Sequence, residues 1–440
     1  MLKNLREKAP LSCIMRIGNS SLPLFKSELE YNPPVHGTWN IVHIGMQIPE
    51  SHQIYVCSDN CMRGVVMTAA EMNCLDRFSQ VVLKDHDLYD GNLEEVTING
   101  VIDIINRLHY KPKAVLVFTV CLHHFMGSDL RRIGDELNAH FPDIDIIMCL
   151  MDPIMQKEGL SPEAKLRDKE LQLIRPLDVN QQAVALLGAD IPVDESSDLI
   201  ELIKSNGCTV TQIADCQTYD DFLALGQSTL FINYYLTGEY GVRRLSRRLH
   251  RFYLNLPSTF CYDSIDESYQ QLCELMGWQQ VDTSKLRNEA EKALAHLKEV
   301  IGNTPIMIDY IAHPQPLSMA ELLLNHGFNV ECIYIDAVTA DEIETYQRLK
   351  ERYPDLILKA TIHVGMRYYY QHHDEIVIGI GQKAAFFENT PHFVNIVEGG
   401  GLWGYKGIVK LCALIEEAYY EEKDTADIVV RKGLGCESCL

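Results

Sequence analysis

Between Ile54 and Met151 the sequence alternates short β-branched runs with longer amphipathic stretches, a pattern that restricts the chain to helices laid over a parallel sheet. IYVC (54–57), AVLVFTV (114–120) and DIIMCLM (145–151) read as strands buried on both faces. NLEEVTINGVIDIINRL places Val96, Ile98, Val101, Ile102 and Ile105 on one helical stripe, with two acids in the first turn, where a helix N-terminus favours them. The fold class that follows is α/β.

The same grammar continues downstream. A charged helical stretch runs to about Leu173, and a boundary near residue 172 follows. AVALLG (183–188) reads as a strand, and the helix-like SSDLIELIKSNG ends on Gly207, where a C′ residue belongs. TPIMIDYIA, the helix PLSMAELLLNHG and the strand FNVECIYI make a third βαβ start, followed by EIVIGIG, VNIVEGG and a terminal helix from about Gly407 to Glu422. A chain of 440 residues is too long for one core. We therefore expect three Rossmann-like domains with parallel sheets around a central cleft, at 1–172, 173–299 and 300–440.

Composition narrows the function classes. The 39 Lys+Arg against 61 Asp+Glu give a net charge of −22, a field that repels nucleic acid and anionic membranes. No apolar run reaches the ~20 residues a bilayer requires. The N-terminal residues lack an apolar stretch of signal-peptide length, so the cytoplasm is the expected location. In that reducing compartment fourteen cysteines call for an explanation other than disulfides.

Cys57 and Cys61 stand where IYVC ends and a helix begins, with Ser58, Asp59 or Asn60 available as N-cap; Cys121 ends the next strand. Open α/β sheets bind ligands at that carboxyl edge. Neighbouring strands lie ~4.8 Å apart, so thiols from two strand ends could converge on one inorganic centre. The same residues would also serve as small buried hydrophobes. Cys74, Cys149, Cys208, Cys216, Cys261, Cys273, Cys332 and Cys412 read as core, and Cys436 and Cys439 as a lone CxxC tail.

HGTWNIVHIGMQIPESHQIYVCSDNCMRGV, VCLHHFMGSDL, VALLG, PIMIDYIAHPQPLSMAELLLNHGFNVECIYID and FVNIVEGGGLWGYKGIVKL, in this order, resemble the component 1 family of nitrogenases and nitrogenase-like reductases. That family includes molybdenum-iron protein subunits, cofactor scaffold proteins and dark-operative protochlorophyllide reductase subunits. The resemblance implies a thiolate-held iron-sulfur cluster, a [4Fe-4S] centre, near a subunit interface. It also implies electrons from a separate ATP-hydrolysing iron protein, and a homodimer or a pairing with a related subunit. Cys61 and Cys121 match the family's second and third cluster cysteines. The first has no counterpart in NPPVHGTWN, and Cys57, or else Cys13, is expected to replace it.

Two departures argue against dinitrogen as substrate. Val394 stands where the family's cofactor-binding His would fall, with His392 nearby, and LFINYYLTGEYGVRRL has no Cys. No GxxxxGK[ST] motif is present, and GIGQKA stops short of a nicotinamide fingerprint, so no nucleotide is expected on this chain. Arg243, Arg247 and Arg251, at i, i+4, i+8 beside Arg244 and Arg248, form either a solvated helix face or a site for an anionic substrate, with Arg243 and Arg247 as its contacts. His123 is the candidate proton donor, ahead of His124 and the pair His372 and His373. The expected function is reduction of a small organic or tetrapyrrole-type substrate. A cluster-assembly scaffold and a ligand-binding module without redox chemistry are the competing readings.

Overall fold

The computed structural model describes residues 11–26, 29–35, 37, 41–151, 159–369 and 371–430. They form two compact units, one drawn from the described residues within 41–192 and 207–257, the other from those within 11–37, 193–206 and 258–430. In chain order the strands are β1 (Ile14–Arg16), β2 (Ser51–Cys57), β3 (Phe78–Val82), β4 (Ala114–Val120), β5 (Asp145–Met151), β6 (Asn180–Leu187) and β7 (Thr209–Gln212). They continue with β8 (Ser228–Asn233), β9 (Phe252–Asn255), β10 (Ile306–Asp309), β11 (Val330–Tyr334), β12 (Ile357–Lys359), β13 (Ile378–Ile380) and β14 (Phe393–Val394). None of the described helices is long and apolar enough to cross a membrane.

The first unit carries two four-stranded parallel sheets, ordered β3-β2-β4-β5 and β7-β6-β8-β9. β2 and β4 are buried along their whole length; β4 is a nearly continuous apolar run, whereas β2 opens on the buried polar residues Ser51, His52 and Gln53 before its apolar end. In the first sheet the chain reverses its direction of travel between β2 and β4. That pair is its topological switch point, the place where open α/β sheets accept ligands. One apolar cluster, including Tyr55, Leu116 and Phe118 of one sheet and Leu187 and Phe231 of the other, joins the two sheets. Tyr55 stacks on Phe118 with centroids 4.4 Å apart.

At the second sheet's switch point, between β6 and β8, Gly188 and Gly238 bring two backbone segments together. A Cβ on Gly238 would overlap the Cα of Gly188. Backbone cannot yield as a flexible side chain can, so Gly238→Ala is expected to cost about 1–3 kcal/mol in thermal unfolding. An unchanged midpoint would show that the approach is not required.

The second unit is built on a six-stranded sheet, β1-β12-β11-β10-β13-β14. It is parallel except for β1, which runs antiparallel to β12 with Ile14 opposite Lys359. The helix Gly404–Tyr420 buries Ile408, Leu411 and Ile415, the amphipathic stripe expected for the C-terminal segment.

Candidate functional site

Cys57 is the last residue of β2, and Val56 pairs with Thr119, so the ends of β2 and β4 lie side by side. The chain leaves β2 through a single turn, Asp59–Cys61, before the helix Met62–Glu71. Cys61 itself is the N-cap, in place of the expected Ser58, Asp59 or Asn60, and no side chain caps this helix. After β4, Cys121 opens a short helix, Cys121–Phe125. The next helix, Leu130–His140, is capped by Asp129, whose carboxylate accepts from the backbone N–H groups of Arg131 and Arg132, both at 3.0 Å.

These three cysteines share a sheet edge but not an environment. Cys61 is exposed and Cys121 half-buried, whereas Cys57 is fully buried in the core with its Sγ 2.9 Å from Met62 Sδ. Burial, reinforced by Cys61, pushes the Cys57 thiol up to about 12, so it resists the thiolate form that ligates iron. Cys13, the other expected substitute, belongs to the second unit. It is buried there with Sγ 2.9 Å from His363 Nδ1.

A cavity of about 440 Å³ opens beside the end of β4, lined by Thr119, Val120, His124, Ser128, Leu150 and Lys165 among others. His123 forms part of its wall, with both ring nitrogens engaged. Nδ1 accepts the backbone N–H of Val120 at 3.3 Å, and Nε2 donates to Thr97 Oγ1 at 3.0 Å, whose hydroxyl in turn donates to the Leu93 carbonyl. Burial lowers its pKa to about 4. His123 is thus held neutral as a brace between strand end and helix, a correction to its expected part as proton donor near neutral pH. His124 and Lys165 are the other ionisable side chains of the cavity's lining, beside the hydroxyls of Thr119 and Ser128. Lys165 was illegible in the sequence because it sits in a charged helix, Pro162–Leu171, with no local sign of a cavity.

The arginines divide. Arg244 pairs with Asp168, Arg248 donates to the carbonyls of Leu171 and Ile174 at 2.8 and 2.9 Å, and Arg251 donates to those of Leu249 and Leu177 at 2.6 and 2.8 Å. Arg251 lies past the helix Glu239–Leu249, which ends at His250 in the left-handed conformation, so the expected three-arginine face stops at two. Arg243 and Arg247 are exposed, Arg243 only 3.7 Å from Glu239 of its own helix, and neither lines the cavity beside β4. His392 is tied to the helix Gly404–Tyr420, its Nδ1 donating to the Ala418 carbonyl at 2.9 Å. Cys436 and Cys439 lie outside the described residues.

The family model for nitrogenase component 1 type oxidoreductases matches residues 57–418, more than half of the chain. The chain belongs to this family. Among solved structures this component 1 type protein is similar to nitrogenase Cp1 at pH 6.5, with a TM-score of 0.66 and 14% identity over 90% of this chain and 94% of that one. It is also similar to nitrogenase Cp1 at pH 5, with a TM-score of 0.56 and 11% identity over 93% and 94%. None of the curated proteins compared with it matches. At these identities the structural likeness speaks to the fold, which is the α/β arrangement of parallel sheets expected from the sequence.

An iron-sulfur cluster asks for accessible thiolates. Cys61 and Cys121 fit that demand. Cys57, enclosed as it is, does not, and among the described residues no three His, Cys, Asp or Glu side chains gather within reach of one metal ion.

Proposed function

We propose that this component 1 type protein is the electron-accepting partner of an ATP-dependent iron protein and reduces a small organic or tetrapyrrole-type substrate rather than dinitrogen. The observation that carries the proposal is the pair of accessible thiols, Cys61 and Cys121, at the ends of the two strands that form a sheet switch point, with a cavity of about 440 Å³ opening at the end of β4, which Cys121 follows. When bound, an iron-sulfur cluster supplies one-electron transfer at low potential. The residues of this chain do the rest. Val120, Leu130 and Leu150 give the cavity apolar walls, and Lys165 offers a cation to a carboxylate or similar group. His124 stands at the same wall as a proton donor, while the His123 brace fixes the backbone that presents it. A volume of this size suits an organic molecule of moderate size. Val394 in place of the cofactor-binding His argues against dinitrogen.

Anaerobic protein mixed with dithionite, MgATP and a cognate iron protein is expected to show ATP-dependent reduction of its iron centre by electron paramagnetic resonance. Reduction that is equally fast without ATP, or a protein that stays iron-free after reconstitution, would sink the proposal. The exposure of Cys61 favours one competing reading, a scaffold that hands its cluster on. Transfer of iron and sulfide to an apo-acceptor without substrate turnover would decide for it.

A further inference from the structure

Three side chains that line the cavity beside β4 have no partners of their own. Among the described residues the ammonium of Lys165 makes no ion pair, and the imidazole of His124 and the hydroxyl of Ser128 make no hydrogen bond. Thr119, by contrast, donates to the Cys149 carbonyl at 3.3 Å, and both ring nitrogens of His123 are engaged. None of the described lining residues is Asp or Glu, in a chain that holds 61 acids against 39 Lys+Arg. A cation, an imidazole and a hydroxyl around one space, with no carboxylate to answer them, call for an anionic ligand.

The backbone decides which anion. A phosphate is commonly cradled by free N–H groups at a helix N-terminus. Leu130 and Pro162, which line the cavity, are the first residues of the helices Leu130–His140 and Pro162–Leu171. In the first of these helices the N–H groups of Arg131 and Arg132 are taken by the Asp129 carboxylate, both at 3.0 Å. In the second, Pro162 has no N–H and that of Ala164 is taken by Ser161 Oγ at 3.2 Å. Side-chain donors remain, a set suited to the single charge of a carboxylate. Beside them stand the apolar side chains of Val120, Leu130 and Leu150, and about 440 Å³ lies low in the roughly 300–1,000 Å³ range of organic ligand pockets.

We propose that the ligand of this cavity is a small organic acid, bound as its carboxylate by Lys165, Ser128 and His124 with a compact apolar body against Val120, Leu130 and Leu150. The inference rests on reading this cavity as the substrate site, and it narrows that reading to a small organic molecule that carries a carboxylate, in place of a tetrapyrrole.

Isothermal titration of the full chain with benzoate and 2-naphthoate, with and without reconstituted iron, tests it. Saturable binding of at least one acid is expected, with the same affinity in both preparations. Replacing the acid by its neutral amide, benzamide or 2-naphthamide, is expected to weaken binding by roughly 10- to 100-fold, the scale of a charge-assisted hydrogen bond. Lys165→Met should cause a loss of the same order, Lys165→Arg should keep most of the affinity, and inorganic phosphate should not displace the acid. Failure of both acids to bind, equal binding of acid and amide by the wild type, unchanged affinity in folded Lys165→Met, or displacement by phosphate would overturn the carboxylate site. Each of these would leave ATP-dependent reduction of the iron centre standing. A chain that binds the acids as expected but never takes up iron would sink the reductase reading alone.

Discussion

Arg167→Met is expected to destabilise the unit that contains it by about 3–5 kcal/mol, the cost of leaving a buried partner charge uncompensated. Arg167 and Asp190 are 5% and 2% exposed and form a two-pronged pair, Nη1 to Oδ1 at 2.9 Å and Nη2 to Oδ2 at 2.6 Å, while Nε donates to Thr237 Oγ1 at 3.1 Å. Removing the guanidinium leaves the Asp190 carboxylate without its countercharge inside a packed interior. It also withdraws a cation that opposes the upward push of burial on Glu170. Thermal unfolding followed by circular dichroism should show a midpoint lower by on the order of 10 °C. The double variant Arg167→Met/Asp190→Leu should recover most of the loss, because two apolar groups of similar size fill the space without a stranded charge. A single variant as stable as wild type would show that the pair holds nothing together.

The second large effect is a loss of stability in mild acid. His52 and His123 are buried and hydrogen-bonded as neutral imidazoles, and burial lowers each to about 4 from the ordinary 6.5, with Arg77 adding to the effect at His52. His52 Nδ1 meets Tyr110 at 2.6 Å and its Nε2 meets Ser79 at 2.8 Å, so neither nitrogen is open to water. Above pH 6.5 both folded and unfolded chains hold these rings neutral, and their stabilising effect is fully present. As pH falls from 6.5 towards 4 the unfolded chain binds the protons first, and stability drops by about 3 kcal/mol per histidine. Urea unfolding across this range should steepen accordingly, and His52→Gln/His123→Gln should flatten the dependence. A slope that is the same in the double variant would remove these two rings as its cause.

Much of the fold was legible because parallel strands beneath helices favour apolar, β-branched runs, a pattern that acts within a few residues. AVLVFTV and DIIMCLM coincide with β4 and β5 to the residue, although β5, at the sheet edge, is only partly buried, with Leu150 46% exposed, and the terminal helix differs from its expected limits by a few positions. Short or mixed strands escaped: FSQVV of β3 and ILK of β12 are too brief and too polar to stand out, and only their neighbours' hydrogen bonds make them strands. The placement of Cys57, Cys61 and Cys121 at strand ends followed from local pattern alone.

Tertiary structure alone decided how those thiols differ. All three were equivalent candidates by position, yet Cys57 is buried in a core cluster to which its own strand contributes Tyr55, the following helix Met62 and the neighbouring strand Phe118. His123 became a brace only because Thr97, on another helix, meets its ring. The N-terminal β1 joined the sheet of residues over three hundred positions away, and the charged helix Pro162–Leu171 turned Arg167 inward to Asp190. Such outcomes depend on which distant groups arrive at a side chain, and local periodicity carries no information about that.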